Sequence, residues 1–339
     1  MKRVLWALVG VLAVSAVLVG EEARSSPTPA ESQSAAAETT PAELTPYQQL
    51  LVARAPLLFE VSLLRARRRV FEVASDPEKG EQLERDIKTA FAKVVALYER
   101  HLKEHSDDAR AHYDLGALYY DEGEDEGRAA ALWLRTVELD PGFHPAHNSL
   151  AVHYADAAEH EKALLHITTA LRLNPDVAMY HFNAATFYGN FRTTATKVFG
   201  WDLRRTWEEV TFQYKEAMRL APTNYVFARD HAQSYYSACH FQVEPDYREA
   251  RRAWEQALPL ARSTSERVMV LTNLARVSCF ADDRDAAREY LSQALHLSPG
   301  NSPALLLQRK MDEGRPITPP SEFGAGPKPT TNSRQRAQP

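Results

Sequence analysis

VELDPGFHPAHNSLAVHYADAAEHEKALLHITTALRLNPDV, residues 137–177, opens and closes on the same phrase. That phrase is an apolar helix end, then L-x-P and a small polar turn. Pro141 and Pro175 stand 34 residues apart. Proline lacks an N–H and clashes with the preceding helical turn, so each marks a seam where one helix stops and the next begins. Between the seams, Leu150, Ala151 and Tyr154 share one helical face, and Ala163, Ile167 and Ala170 share another. The stretch reads as one helical hairpin with a turn at each end. Small residues at Ala151, Ala163 and Ala170 let its two helices cross closely.

Working outward, the phrase returns as MRLAPTN at 218–224 and LHLSPGN at 295–301, with Pro222 and Pro299 at the seams. The unit ending at Pro141 carries Leu115, Gly116, Tyr119, Ala129 and Trp133 in the same columns. The unit ending at Pro299 carries Leu274, Ala275, Ala287, Leu291 and Ala294. Two units between them keep the columns and add residues: Ala184, Ala185, Tyr188, Val210, Tyr214 and Ala217, then His231, Ala232, Tyr235, Ala250, Trp254 and Ala257. This pattern resembles the tetratricopeptide-repeat family, whose consensus runs L-G/A-x2-Y, then A-x3-F-x2-A-x4-P. The resemblance implies an all-α, right-handed superhelical solenoid of antiparallel helix pairs. About five repeats follow a degenerate helix pair in which Val94 and Tyr98 hold the consensus columns.

The expected organisation is a signal sequence or membrane anchor at 1–20, an acidic disordered tether at 21–45 and the degenerate pair at 46–108. The repeat domain follows at 109–313, with insertions near 189–203 and 239–247, and then a disordered tail at 314–339. Lys2 and Arg3 before the apolar run from Val4 to Gly20 point to export or anchoring, hence to a periplasmic or other extracytoplasmic envelope location. The tether and tail are too poor in large apolar residues to offset the entropy of ordering. The segment 47–74 holds more apolar residues than one helix face needs, which suits a cap on the first repeat or a contact with another subunit. A net charge of −5 and a pI near 6.2 give no argument for nucleic-acid binding, which wants a basic stripe, and no nucleic-acid partner is expected.

In the family the first helix of each repeat lines the concave side. That implies a groove lined by Tyr113, Tyr120, Asn148, Phe182, Asn190, Arg229, Gln233, Tyr236 and Arg276, side chains suited to holding a protein segment. The insertion GNFRTTATKVFGWDLRR, 189–205, places Phe191, Phe199 and Trp201 beside four cations. It reads either as an interaction loop or as a longer hairpin whose aromatics pack on the next repeat.

Chemistry is sparse. His112, His147 and His181 share one column of consecutive first helices. They read as packing histidines, and the alternative is a metal or small-ligand site built from the second and third repeats. Neither cysteine nor carboxylate joins them at zinc-like spacing, so no metal and no cofactor is expected. Cys239 and Cys279 end adjacent first helices and would bridge if their Cα atoms lay within about 7 Å. No nucleophile elbow, phosphate loop or H-E-x-x-H is present. The expected function is therefore a non-enzymatic scaffold that binds a protein partner.

Overall fold

The computed structural model of the chain describes residues 44–73, 76–122 and 125–317. Residues 1–20, where an export or anchor segment was expected, nearly all of the expected tether and the tail beyond residue 317 lie outside the described residues. Among the described residues there are fourteen α-helices and no strand, and no helix is long and apolar enough to cross a membrane. They fall into two compact units that divide between His153 and Tyr154.

The first unit holds α1 (Pro46–Val73), α2 (Pro77–Glu104), α3 (Ala109–Glu122), α4 (Glu126–Leu139) and most of α5 (His144–Asp156). α1 packs along α2, α2 meets α3, and α3 pairs with α4. Asp76 starts α2: its carboxylate accepts the Lys79 N–H at 3.1 Å, and Pro77 fills the first helical position, where its missing N–H costs nothing. The buried face of α2 runs Leu83, Ile87, Ala90, Phe91, Val94 and Tyr98, at spacings of three and four. Val94 and Tyr98 are fully buried, in keeping with the columns assigned to them.

One carboxylate ties three helices of this unit together. Asp114 on α3 accepts from the Tyr47 hydroxyl at 2.8 Å, from Arg54 Nη1 at 2.8 Å and from the Tyr98 hydroxyl at 3.1 Å. Arg54 also donates to the Tyr98 oxygen. Burial pushes the Asp114 carboxyl up, while Arg54 and the two phenols draw it back. α1 is thereby docked on the first repeat as a cap.

The second unit holds α6 (His160–Leu173), α7 (Ala178–Asn190), α8 (Arg192–Phe199), α9 (Leu203–Leu220), α10 (Tyr225–Ser234), α11 (Tyr247–Ala257), α12 (Thr264–Phe280), α13 (Arg284–Leu297) and α14 (Ser302–Asp312). α7 pairs with α9, α10 with α11 and α12 with α13, while α14 closes the end through Ala304, Leu307 and Met311. The small-residue columns Ala185, Ala217, Ala232, Ala250, Ala275, Ala287 and Ala294 are all buried at these contacts. Acidic caps start the second helices: Asp202, Asp246 and Asp283 each accept backbone N–H groups from the first turn.

The seams behave as the prolines dictate. Pro141, Pro175, Pro222 and Pro299 all stand in turns between helices. Asp140 accepts the Gly142 N–H at 2.9 Å and Asn174 accepts the Asp176 N–H at 3.1 Å, closing side-chain turns just before two first helices. Within the repeats, the turn from first to second helix uses left-handed backbone at Ala158 (φ 60°), Gln242 (φ 57°) and Asp282 (φ 59°).

Both insertions are ordered packing elements. The first forms α8, ends at Gly200 in the left-handed region, and resumes at the Asp202 cap. Phe191 stacks on His160 at 3.9 Å, and Phe199 and Trp201 lie 4.4 Å apart with Tyr188 edge-on to both. These aromatics pack on neighbouring helices, as the longer-hairpin reading has it. The second begins in the last residues of a 3-10 helix, Tyr235–Phe241, whose Phe241 is buried against Trp207 at 5.3 Å.

Candidate functional site

The first-helix side of the second unit carries two polar clusters. Arg229 and Asp230 on α10 pair at 2.6 Å. Asn273 on α12 accepts from the Tyr236 hydroxyl at 3.2 Å and from Arg276 Nη1 at 2.8 Å. Burial pushes the Tyr236 phenol up to about 12, against the pull of Arg276. Three expected groove residues, Arg229, Tyr236 and Arg276, are therefore present but already engaged with one another's neighbours.

Asn190 and Gln233 differ. Both are exposed, neither bonds another side chain, and both line a cavity of about 460 Å³. Its floor is aromatic, from Trp207, Tyr214 and Phe241, and its rim carries Arg192, Asp230, Ser237 and His240. Arg192 comes from the first insertion, and His240 and Phe241 from the second. The two departures from the repeat thus converge on one hollow beside α7 and α10. Arg192 is half-buried, lies 6.0 Å over the Phe241 ring, and makes no ion pair or hydrogen bond among the described residues. The rim carboxylate, Asp230, is taken up by Arg229, so the Arg192 cation on its aromatic ring is open to an anionic group. The sequence contained a signal for this site: both insertions attach at the same end of consecutive first helices.

Phe182 corrects the sequence reading. It is 5% exposed, stacked on Phe227 at 4.6 Å and edge-on to Tyr214, so it belongs to the core between repeats and offers no open surface. The physical reason is that α7 is apolar almost all round, with eight buried residues between Tyr180 and Tyr188. In the first unit, Tyr113 packs on Phe143 at 5.0 Å, and its backbone carbonyl accepts from Trp133 Nε1. Tyr120 lies 5.4 Å from the Trp133 ring. Asn148 is half-buried on α5.

The histidine column is a set of clamps. His112 Nε2 meets the Ser106 carbonyl at 3.1 Å, His147 Nε2 meets the Pro141 carbonyl at 3.2 Å, and His181 Nε2 meets the Pro175 carbonyl at 2.7 Å. Each ring donates to the turn six residues upstream. The Nδ1 of His181 also meets the Gln213 side-chain amide at 2.6 Å. The backbone thus takes up Nε2 of all three rings, and in His181 both nitrogens are engaged. Among the described residues no three His, Cys, Asp or Glu side chains converge as ligands.

The disulfide does not form. Cys239 and Cys279 are free thiols with separate partners: one sulfur faces the Tyr236 carbonyl at 3.9 Å, the other Met311 Sδ at 3.7 Å. Burial raises the Cys279 thiol above its ordinary value.

No protein-family model matches the chain, and no curated protein matches it. Solved structures do. The TPR protein YrrB, described as having an unusual peptide-binding site, is 16% identical, with a TM-score of 0.50 over 62% of this chain and 97% of its own. The C-terminal part of a TPR repeat-containing protein from Cytophaga hutchinsonii is 11% identical, with a TM-score of 0.52 over 77% of this chain and 98% of its own. The fold is that of the tetratricopeptide-repeat proteins: an all-α solenoid of helix pairs.

Proposed function

We propose that this chain is a non-enzymatic scaffold that binds a segment of another protein along the first helices of its second unit. An acidic side chain of that segment enters the hollow between the two insertions. The observation that carries this reading is Arg192, half-buried over Phe241 at the edge of a cavity of about 460 Å³, with no acidic partner. Asn190, Gln233, Ser237 and His240 surround it with exposed polar groups free to bond a peptide backbone. Fixed polar groups over an aromatic floor are the usual make-up of a recognition pocket. The likeness to YrrB in fold is compatible with peptide binding and carries no more than that.

We also propose that the repeats work in the cell envelope, outside the cytoplasm, held there or delivered there by residues 1–20. Lys2 and Arg3 ahead of the apolar run support this.

The test is affinity capture from an envelope extract with the full-length chain, beside Arg192→Gln and an Asn190→Ala/Gln233→Ala double variant. These side chains make no internal hydrogen bond, so the fold is retained, as circular dichroism would check. A protein held by the wild type and lost by both variants is the expected result. Identical captures from all three would remove the hollow as the working site.

A further inference from the structure

The outer face of α1 is the least expected surface on the molecule. Val52, Phe59, Leu63 and Val70 are 63, 71, 50 and 65% exposed, while Leu50 and Val61 on the other side of the same helix are buried. At about 100° per residue, those four side chains lie within about 20° of one line along the helix. Pro56 and Ala66, both exposed, fall in the gaps of that line. The series 52, 56, 59, 63, 66, 70 therefore steps four, three, four, three, four, and every member is uncharged. Alternating steps of four and three over nearly three heptads form a seam of a and d positions, and a stripe this narrow is the mark of a helix that meets another helix. A membrane-surface helix would show a wider apolar face.

A terminal cap of a solenoid needs a polar outer surface, because nothing stacks on it. α1 caps the first repeat with its buried side and presents apolar residues on the other. In the second unit the last helix, α14, exposes only the adjacent pair Leu305 and Leu306 among its large apolar residues, and these form no seam.

The flanks indicate the occupant. Glu60 and Arg67 lie one position after Phe59 and Ala66, on the same edge of the seam. Arg67 is exposed and has no ion pair among the described residues, and Glu60 has only a loose one, to Lys93 at 3.5 Å. An antiparallel second copy, crossing between Leu63 and Ala66, would set Phe59 on the partner's Val70 and Leu63 on the partner's Ala66. The same crossing brings Glu60 to the partner's Arg67, twice by symmetry. This is a self-complementary, two-fold arrangement. We infer that α1 is a self-association surface, and that two copies of this chain pair antiparallel along it.

Sedimentation velocity of the full-length chain in mild detergent tests this directly. The wild type is expected as a dimer and Leu63→Glu as a monomer, with unchanged helicity, since Leu63 is half exposed. Glu60→Arg alone and Arg67→Glu alone should each weaken the dimer about tenfold, the size of a few lost and reversed flanking charge pairs. The two changes in one chain should restore it, because each reversed charge meets the other's reversal. A monomeric wild type, a Leu63→Glu chain that still dimerises, or a double variant no better than the singles would each overturn the inference. So would a monomer that floats with anionic vesicles and loses them on Leu63→Glu, since the stripe would then belong to a lipid surface.

Discussion

Gly116 and Trp133 meet without room for a methyl group: a Cβ on Gly116 would stand 2.6 Å from Trp133 Nε1 and 3.1 Å from the Ala129 carbonyl oxygen. The indole is fully packed and its N–H bonds the Tyr113 carbonyl at 3.3 Å, so it has nowhere to withdraw. Gly116→Ala should therefore destabilise the first unit by about 1–3 kcal/mol, the ordinary cost of overpacking. Urea denaturation would measure it; a change below about 0.5 kcal/mol would mean the two helices separate at little cost.

Asp114→Asn leaves the guanidinium of Arg54 mostly buried, at 11% side-chain exposure, with its carboxylate gone. Breaking such a pair costs about 3 kcal/mol or more, chiefly through the stranded charge. Hydrogen exchange should quicken along α1 and α2 and stay unchanged along α12 and α13. Uniform protection in the variant would show that the cap is held by apolar contacts alone.

Ala158 holds a left-handed backbone that L-residues adopt at a cost of about 1 kcal/mol. Ala158→Gly removes that strain and should raise stability by a little less, because glycine loses more chain entropy on folding. A calorimetric melt decides it: a lowered midpoint would contradict the strain argument. Asp282→Gly offers the same comparison at the last full repeat.

His231 occupies a column held by leucine in three other repeats, and burial drives its pKa down to about 4, with Lys215 pushing the same way and Glu249 opposing. An unfolded histidine takes its proton near pH 6.5, whereas the buried ring resists until about 4. The contribution is present above pH 6.5 and is lost as the pH falls towards 4, by up to about 3 kcal/mol. His231→Leu should flatten the decline in stability over that window. A variant whose pH profile runs parallel to the wild type would assign the decline to other groups.

The hairpins were readable because their signals are local. Pro141 and Pro175 mark seams by backbone chemistry alone, and Val94 and Tyr98 identify a degenerate repeat through spacing that a helix turns directly into burial. The open surface was less readable. Phe182 has the sequence position of a groove residue, and only the packing of α7 on both sides hides it. Arg192 lies within an insertion whose path no repeat pattern dictates, so its meeting with Phe241 depends on tertiary placement. Cys239 and Cys279 ended adjacent helices on paper, yet proximity along a pattern says nothing of where each sulfur turns.

The histidine clamps bear on the order of folding. Each bond from His112, His147 and His181 spans only six residues, with both partners in one turn and the helix that follows it. Loops this short close in about 10–100 ns, far sooner than two helices diffuse together and dock. The exit angle of the chain from each seam is thus fixed early and locally. Helices emerging from those seams start their search already aimed at the neighbour on which they will lie.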